Sequence, residues 1–276
     1  KDYNEPITSE KSQDDFLSLA TEMQKSMYYF QVENPEKSIY NIPYVSKHEK
    51  TKFSLNELSE RFDLFIKSNP IFHSYLSEDE DGELGWYNLT SKKSYKIKQI
   101  EIDFETENEI NDLIQKELNY NFILSNKKEP LLRFTILETP TYYYLIIVAH
   151  HIIADGNSID ILLDNIFNSV DGLDKTQDYF KFLSTYKEDL PEDISYWEDK
   201  LNSVQPIPLF DKVDEKFEYL GKTENLSLDS QFLKRIEKLS VEYKVSKYNI
   251  LLSLYSQFLM LYFNRNYIFV GTPVST

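Results

Sequence analysis

The sequence predicts an α/β sandwich built on a mixed sheet, and three observations carry that expectation. Segments with helical periodicity alternate with short aromatic and β-branched runs. Two of those runs, 131–137 and 142–148, flank Glu138-Thr139-Pro140-Thr141, where Pro140 makes a turn and the runs a hairpin-like pair. Of the 276 residues, 41% are hydrophobic and 15% aromatic, enough to bury a substantial core in one large domain or two smaller ones.

Taken in order, residues 1–15 are polar and aperiodic and read as a linker, with folding expected to begin near Phe16. Thr21-x-x-Gln24 has the form of a capping box opening a short helix with Met23, Met27 and Phe30. Ser54-x-x-Glu57 opens a second helix, with Leu55, Leu58, Phe62, Phe65 and Ile66 on one face. Thr106-x-x-Glu109 opens a third, burying Ile110, Ile114 and Leu118. Between them lie strand-like pieces at 40–45, 95–102, 131–137 and 142–148, the last suited to burial on both faces. Past Val170 the pattern changes to Asp171-Gly172-Leu173-Asp174, then to aromatic-acidic helices with Tyr179, Phe180, Phe182 and Tyr186, and with Tyr196, Trp197 and Leu201. Two lobes are therefore expected, 16–171 and 172–276. The second should hold an amphipathic helix over 229–243, a buried core helix from Ser246 and an apolar strand over 267–270.

Composition excludes several function classes. Without cysteine there is no disulfide, thiol nucleophile or thiolate zinc site. A formal charge of −16 and four scattered arginines (Arg61, Arg133, Arg235, Arg265) argue against nucleic acid as a partner. The acidic runs, such as Glu78-Asp79-Glu80-Asp81, read as solvated loops. The chain starts at Lys1 with no leader pattern, so the cytoplasm is the default location. The longest apolar stretch, 248–263, is interrupted by Asn249, Ser253, Ser256 and Gln257 and falls short of the ~20 residues a bilayer requires, so no membrane role is expected.

Chemistry concentrates in Val148-Ala149-His150-His151-Ile152-Ile153-Ala154-Asp155-Gly156, where two of only four histidines leave an apolar strand just before a helical segment, 158–167. Histidine titrates near ~6.5 and can accept a proton or orient a nucleophile at neutral pH. Adjacent strand residues point in opposite directions, so His150 and His151 cannot both face one substrate, and one of them is structural. Gly156 permits a tight turn or a close backbone approach, and Ser158 is placed to cap the helix of Ile159, Leu162, Leu163, Ile166 and Phe167. A metal held by His150, His151 and Asp155 is disfavoured, because the histidines diverge and no further ligand has a familiar spacing. A serine hydrolase is disfavoured by the absence of a G-x-S-x-G elbow. His48 and His73 read as surface or packing residues.

His150-His151-x-x-x-Asp155-Gly156 resembles the HHxxxDG signature of the condensation domains of nonribosomal peptide synthetases, in the chloramphenicol acetyltransferase superfamily. Other segments resemble that family in its order: Leu19 to Gln24 with Met27 and Tyr28, Tyr40-Asn41-Ile42-Pro43, Pro130-Leu131-Leu132-Arg133, Tyr196-Trp197 with Leu201, and Val270-Gly271-Thr272-Pro273-Val274. The family's R-H-x-x-L-R-T segment appears here without its arginines, as Lys67-Ser68-Asn69-Pro70-Ile71-Phe72-His73-Ser74.

The resemblance implies a two-lobed chloramphenicol-acetyltransferase-like α/β sandwich, here with its second lobe incomplete at Thr276, and an active site in a tunnel between lobes. It implies catalysis by His151, with the turn supported by His150, Gly156 and an Asp155–Arg133 salt bridge. The reaction would join a donor acyl or peptidyl thioester to an acceptor aminoacyl thioester. Both would be carried on phosphopantetheine arms of partner carrier domains, with an adenylation domain adjacent and no intrinsic cofactor or metal. The alternatives are a non-catalytic recruitment module of the same fold, or epimerisation or O-acyl transfer. Ile159 after Ser158, where family epimerases tend to carry tryptophan, favours condensation, and the two histidines disfavour the heterocyclising branch.

Overall fold

Capping and strand pairing account for most of the architecture in the computed structural model, which describes residues 15–50, 54–89, 97–103, 106–167, 179–185, 191–202 and 225–272. The chain divides into two compact units, Lys1–Asp189 and Leu190–Thr276. The expected lobe boundary at 171/172 and nearly all of the expected 1–15 linker lie outside the described residues.

The first unit contains two sheets. Strands β1 (Phe16–Leu19), β3 (Ser74–Glu78) and β4 (Leu84–Asn88) form an antiparallel sheet in the order β1-β4-β3. The β3–β4 hairpin turns through the acidic run, where Asp79 Oδ1 accepts from the Asp81 and Glu83 amides at 3.0 and 2.8 Å and Gly82 takes φ +84°. Strands β2 (Asn41–Glu49), β5 (Lys98–Glu101), β6 (Leu132–Glu138) and β7 (Tyr142–His150) form a mixed sheet in the order β2-β7-β6-β5, parallel only between β5 and β6. The expected 95–102 strand is seen as Lys98–Glu101, with 90–96 outside the described residues.

Both faces of β7 are buried from Leu145 onward, as its unbroken apolar run requires. On one face Phe134, paired with Ile147, meets Phe62 of α2 (Leu55–Ser68) at a ring distance of 4.9 Å. On the other face Arg133 and Thr135, paired with Val148 and Ile146, reach Glu117 of α3 (Glu107–Leu118). Helix α2 buries Leu58, Phe62, Phe65 and Ile66, and α3 buries Ile110 and Ile114 as expected, with Leu118 half-buried and Glu117 buried in its place.

Only the first capping box closes as expected. Thr21 Oγ1 accepts from Gln24 N and Gln24 Oε1 from Thr21 N, starting α1 (Glu22–Glu33). Ser54 and Thr106 stand at the N-caps of α2 and α3 without a side-chain cap bond; the Thr106 hydroxyl donates to the Glu109 carboxylate instead. Helix α1 buries Gln24, Tyr28 and Gln31 and leaves Met23 in solvent, because its inner side is hydrogen-bonded as well as apolar.

In the second unit, α6 (Pro191–Leu201) is followed by α7 (Ser230–Tyr243), capped by Asp229, and α8 (Lys247–Tyr262), capped by Ser246. Here two expectations are corrected. Helix α8 has no buried residue, since α7 covers one side of it and Tyr248, Leu254, Phe258 and Leu261 are exposed. Residues 267–270 are not paired as a strand, with Tyr267 and Phe269 exposed and no adjacent ladder among the described residues. Among the described residues no helix is long and apolar enough to cross a membrane.

Candidate active site

The sequence motif folds as the end of β7, a one-turn reversal, and the start of α4 (Gly156–Phe167). Its backbone is pinned from several sides. His150 N donates to Leu131 O at 2.9 Å, His151 N to Tyr40 O at 2.7 Å and Ile153 N to His150 O at 3.1 Å. These bonds rotate successive side chains apart, as alternation along a strand does. His150 is 1% exposed, and His151 is in solvent.

The buried imidazole supports the turn. Its Nδ1 accepts the Ile152 amide at 3.1 Å, which assigns the ring proton to Nε2, and the ring lies between Tyr40 and Phe122 with centroids 5.9 and 6.1 Å away. Nε2 is buried with no hydrogen-bond partner among the described residues. Burial, and secondarily the charge of His151, push the His150 pKa down to about 4, so His150 is neutral at physiological pH.

Asp155 does not pair with Arg133, which corrects the expected salt bridge. Its Oδ1 accepts from the Ser158 amide at 2.8 Å and the Ser158 hydroxyl at 2.6 Å, while Asp155 N donates to Ser158 Oγ at 3.1 Å. Asp155 therefore caps α4, and Ser158 is the answering residue three positions on rather than the cap itself. The Ser158 hydrogen bond holds the Asp155 carboxyl below its usual range; burial opposes this, and a smaller part comes from the charge of His151.

Arg133 is drawn away by a closer acid. Its Nη2 lies 3.4 Å from Glu117 Oε2, and its guanidinium stacks 3.8 Å over Tyr120. Glu117 also takes hydrogen bonds from Lys98 and Thr135. Burial alone would raise the Glu117 pKa, but the bonds from Lys98 and Thr135 and the two cationic charges bring it net below the ordinary value. Tyr120 stacks edge-on against Phe122, which stacks on His150, so the Arg133 guanidinium is linked to the buried histidine through two aromatic rings. The signal for Glu117 lay in the sequence, since Ile110, Ile114 and Glu117 fall on one helical stripe. Gly156 opens α4, and a β-carbon there would meet no described atom of the chain within 4 Å.

The mixed α/β architecture is that of solved condensation domains, the chloramphenicol-acetyltransferase-like fold. The chain matches the family model of the condensation domain over residues 15–276 and belongs to that family. It is 25% identical over 284 residues to a linear gramicidin synthase of Brevibacillus parabrevis, covering 95% of this chain and 6% of that protein. It is 25% identical over 267 residues to bacitracin synthase 2 of Bacillus licheniformis, covering 91% and 10%. A four-domain nonribosomal peptide synthetase bound to AMP and glycine superposes with TM-score 0.70 at 18% identity, covering 94% of this chain and 20% of that one. The first condensation domain of the calcium-dependent antibiotic synthetase, in complex with a substrate analogue, superposes with TM-score 0.68 at 14% identity, covering 87% and 60%. The chain thus spans a small part of these synthases and about three fifths of that solved domain.

Proposed function

We propose that this chain is part of a cytoplasmic peptide synthetase and condenses a donor acyl or peptidyl thioester with an acceptor aminoacyl thioester, with His151 as the catalytic residue. Both substrates would arrive on the phosphopantetheine arms of carrier domains, with an adenylation domain nearby and no cofactor resident in the domain. The observation that carries the reading is the division of labour between neighbours: His150 is buried and neutral, and His151 is presented to solvent from a turn fixed by backbone hydrogen bonds.

In the reaction the acceptor amine attacks the donor thioester carbonyl, the C–N bond forms, and the C–S bond breaks as the donor arm leaves as a thiol. The proton lost by the amine passes to the departing sulfur. An imidazole at His151 can hold the amine in line, relieve it of that proton and hydrogen-bond the tetrahedral oxyanion. Orientation of this kind is worth ~7 to 11 kcal/mol in favourable cases. Asp155 and Gly156 fix the far end of the turn by starting α4.

The test is a condensation assay on the longest native form of the polypeptide, with loaded donor and acceptor carriers, reading the mass of the acceptor thioester. Wild type should gain the donor mass, and His151→Ala should lose at least about a hundredfold in rate. A His151→Ala variant with undiminished condensation sinks the assignment. Carrier binding without turnover in wild type would favour a recruitment module instead.

A further inference from the structure

Gln24 is a buried amide in which both ends are fully engaged. It is 6% exposed on the inner side of α1. Its Oε1 accepts from Thr21 N at 3.0 Å and from Trp86 Nε1 at 3.1 Å. Its Nε2 donates to Ile152 O at 3.3 Å and to the Tyr179 hydroxyl at 2.7 Å on α5 (Tyr179–Thr185). The amide's two acceptor positions and two N–H groups are therefore all used.

One of these four partners is special. Ile152 O belongs to the peptide one residue past His151, inside the turn that sets the direction of the exposed ring. The remaining turn bonds are made by backbone groups or by residues of the motif itself. Among the described residues, Gln24 is the one side chain from another element that hydrogen-bonds this turn. Trp86 and Tyr179 in turn fix the amide plane, so β4 and α5 hold in place the α1 side chain that bonds the Ile152 carbonyl. Removing the amide frees Ile152 O in a site where an unpaired buried carbonyl costs ~1 to 3 kcal/mol, and the turn can relieve that by tilting.

We infer that Gln24 is a positioning residue for His151, acting through the carbonyl of Ile152. This rests on the reading of His151 as the catalytic residue, but its first test does not depend on turnover. The chain has four histidines, so the ring signals of His48, His73, His150 and His151 can be assigned one by one in a ¹H–¹³C spectrum. In Gln24→Leu the His151 ring signal should shift or double while those of His48 and His73 stay in place. Tyr179→Phe, which removes a single hydroxyl, should give the same displacement in smaller measure and stands in if Gln24→Leu fails to fold. An unmoved His151 signal, or a displacement shared equally by His48 and His73, overturns the inference.

Turnover then separates this from the parent reading. On the longest native polypeptide, Gln24→Leu should lower kcat about tenfold with the KM for the acceptor carrier unchanged, since a misplacement near 1 Å can cost up to ~10²-fold. Inactive wild type together with a displaced His151 signal would refute the condensation reading and leave the positioning role intact. Active wild type with wild-type kcat in Gln24→Leu would refute the positioning role alone.

Discussion

His150 and His151 share a residue type, a motif and a peptide bond, yet one ring is buried and the other stands in solvent. The buried ring is an acceptor to Ile152 N, and protonation would destroy that bond and place a charge among Tyr40, Phe122 and the β7 core. Its folded pKa of about 4 lies below the ~6.5 of an unfolded histidine, so between these values the unfolded chain binds the extra proton. Stability therefore rises with pH across that window and is lost as pH falls through it, by as much as about 3 kcal/mol from this one residue. The check is denaturant unfolding of wild type and His150→Asn, whose amide oxygen can take the place of Nδ1, at pH values from 7.5 to 4. The wild-type curve should fall more steeply than the variant's below pH 6.5. Parallel curves would show that His150 does not titrate on unfolding, and the neutral-support role would go with them.

Among the elements, the join between β7 and α4 and the seam between α3 and β6 are separate constructions, although the family resemblance implies one ion pair tying them together. Asp155 is spent on the first turn of α4 and Arg133 on Glu117, so the two should not couple. In double-mutant cycles read by equilibrium unfolding, Arg133→Met with Glu117→Gln should give an interaction energy near ~1 kcal/mol. Arg133→Met with Asp155→Ala should be additive within ~0.3 to 0.5 kcal/mol, and Asp155→Ala alone should cost ~1 kcal/mol as a lost cap. Strong coupling between Arg133 and Asp155 would restore the salt bridge. The elements that were readable in advance are those with long period or a strong turn: α2, α3, α7, and the β6–β7 pair around Pro140. The motif's placement at a strand end was readable for the same reason. Strands β1, β3 and β4 were not, because four or five residues such as Leu84-Gly85-Trp86-Tyr87-Asn88 carry no alternation, and their pairing is decided by distant partners. The true partners of Arg133 and Asp155 escaped too, since their pairing was implied by the resemblance alone and packing selects Glu117 for the one and Ser158 for the other.

For the whole molecule, the two units differ in how well they bury what the sequence marks as core. The first encloses Trp86 completely, with its indole N–H bonded to Gln24. In the second, Trp197 is 59% exposed and the apolar helix α8 has no buried residue. Since the chain holds two tryptophans, one in each unit, fluorescence reads the units separately. Trp197→Phe should leave a single emitter that is blue-shifted and poorly quenched by acrylamide, and the wild-type minus variant spectrum should be red-shifted and readily quenched. A difference spectrum as blue and as protected as that of Trp86 would mean that α6 is covered in solution, and the second unit would have to be closed by contacts beyond those described. The same measurement on the longest native polypeptide locates the covering surface: protection of Trp197 there, but not in this chain, would place it outside residues 1–276.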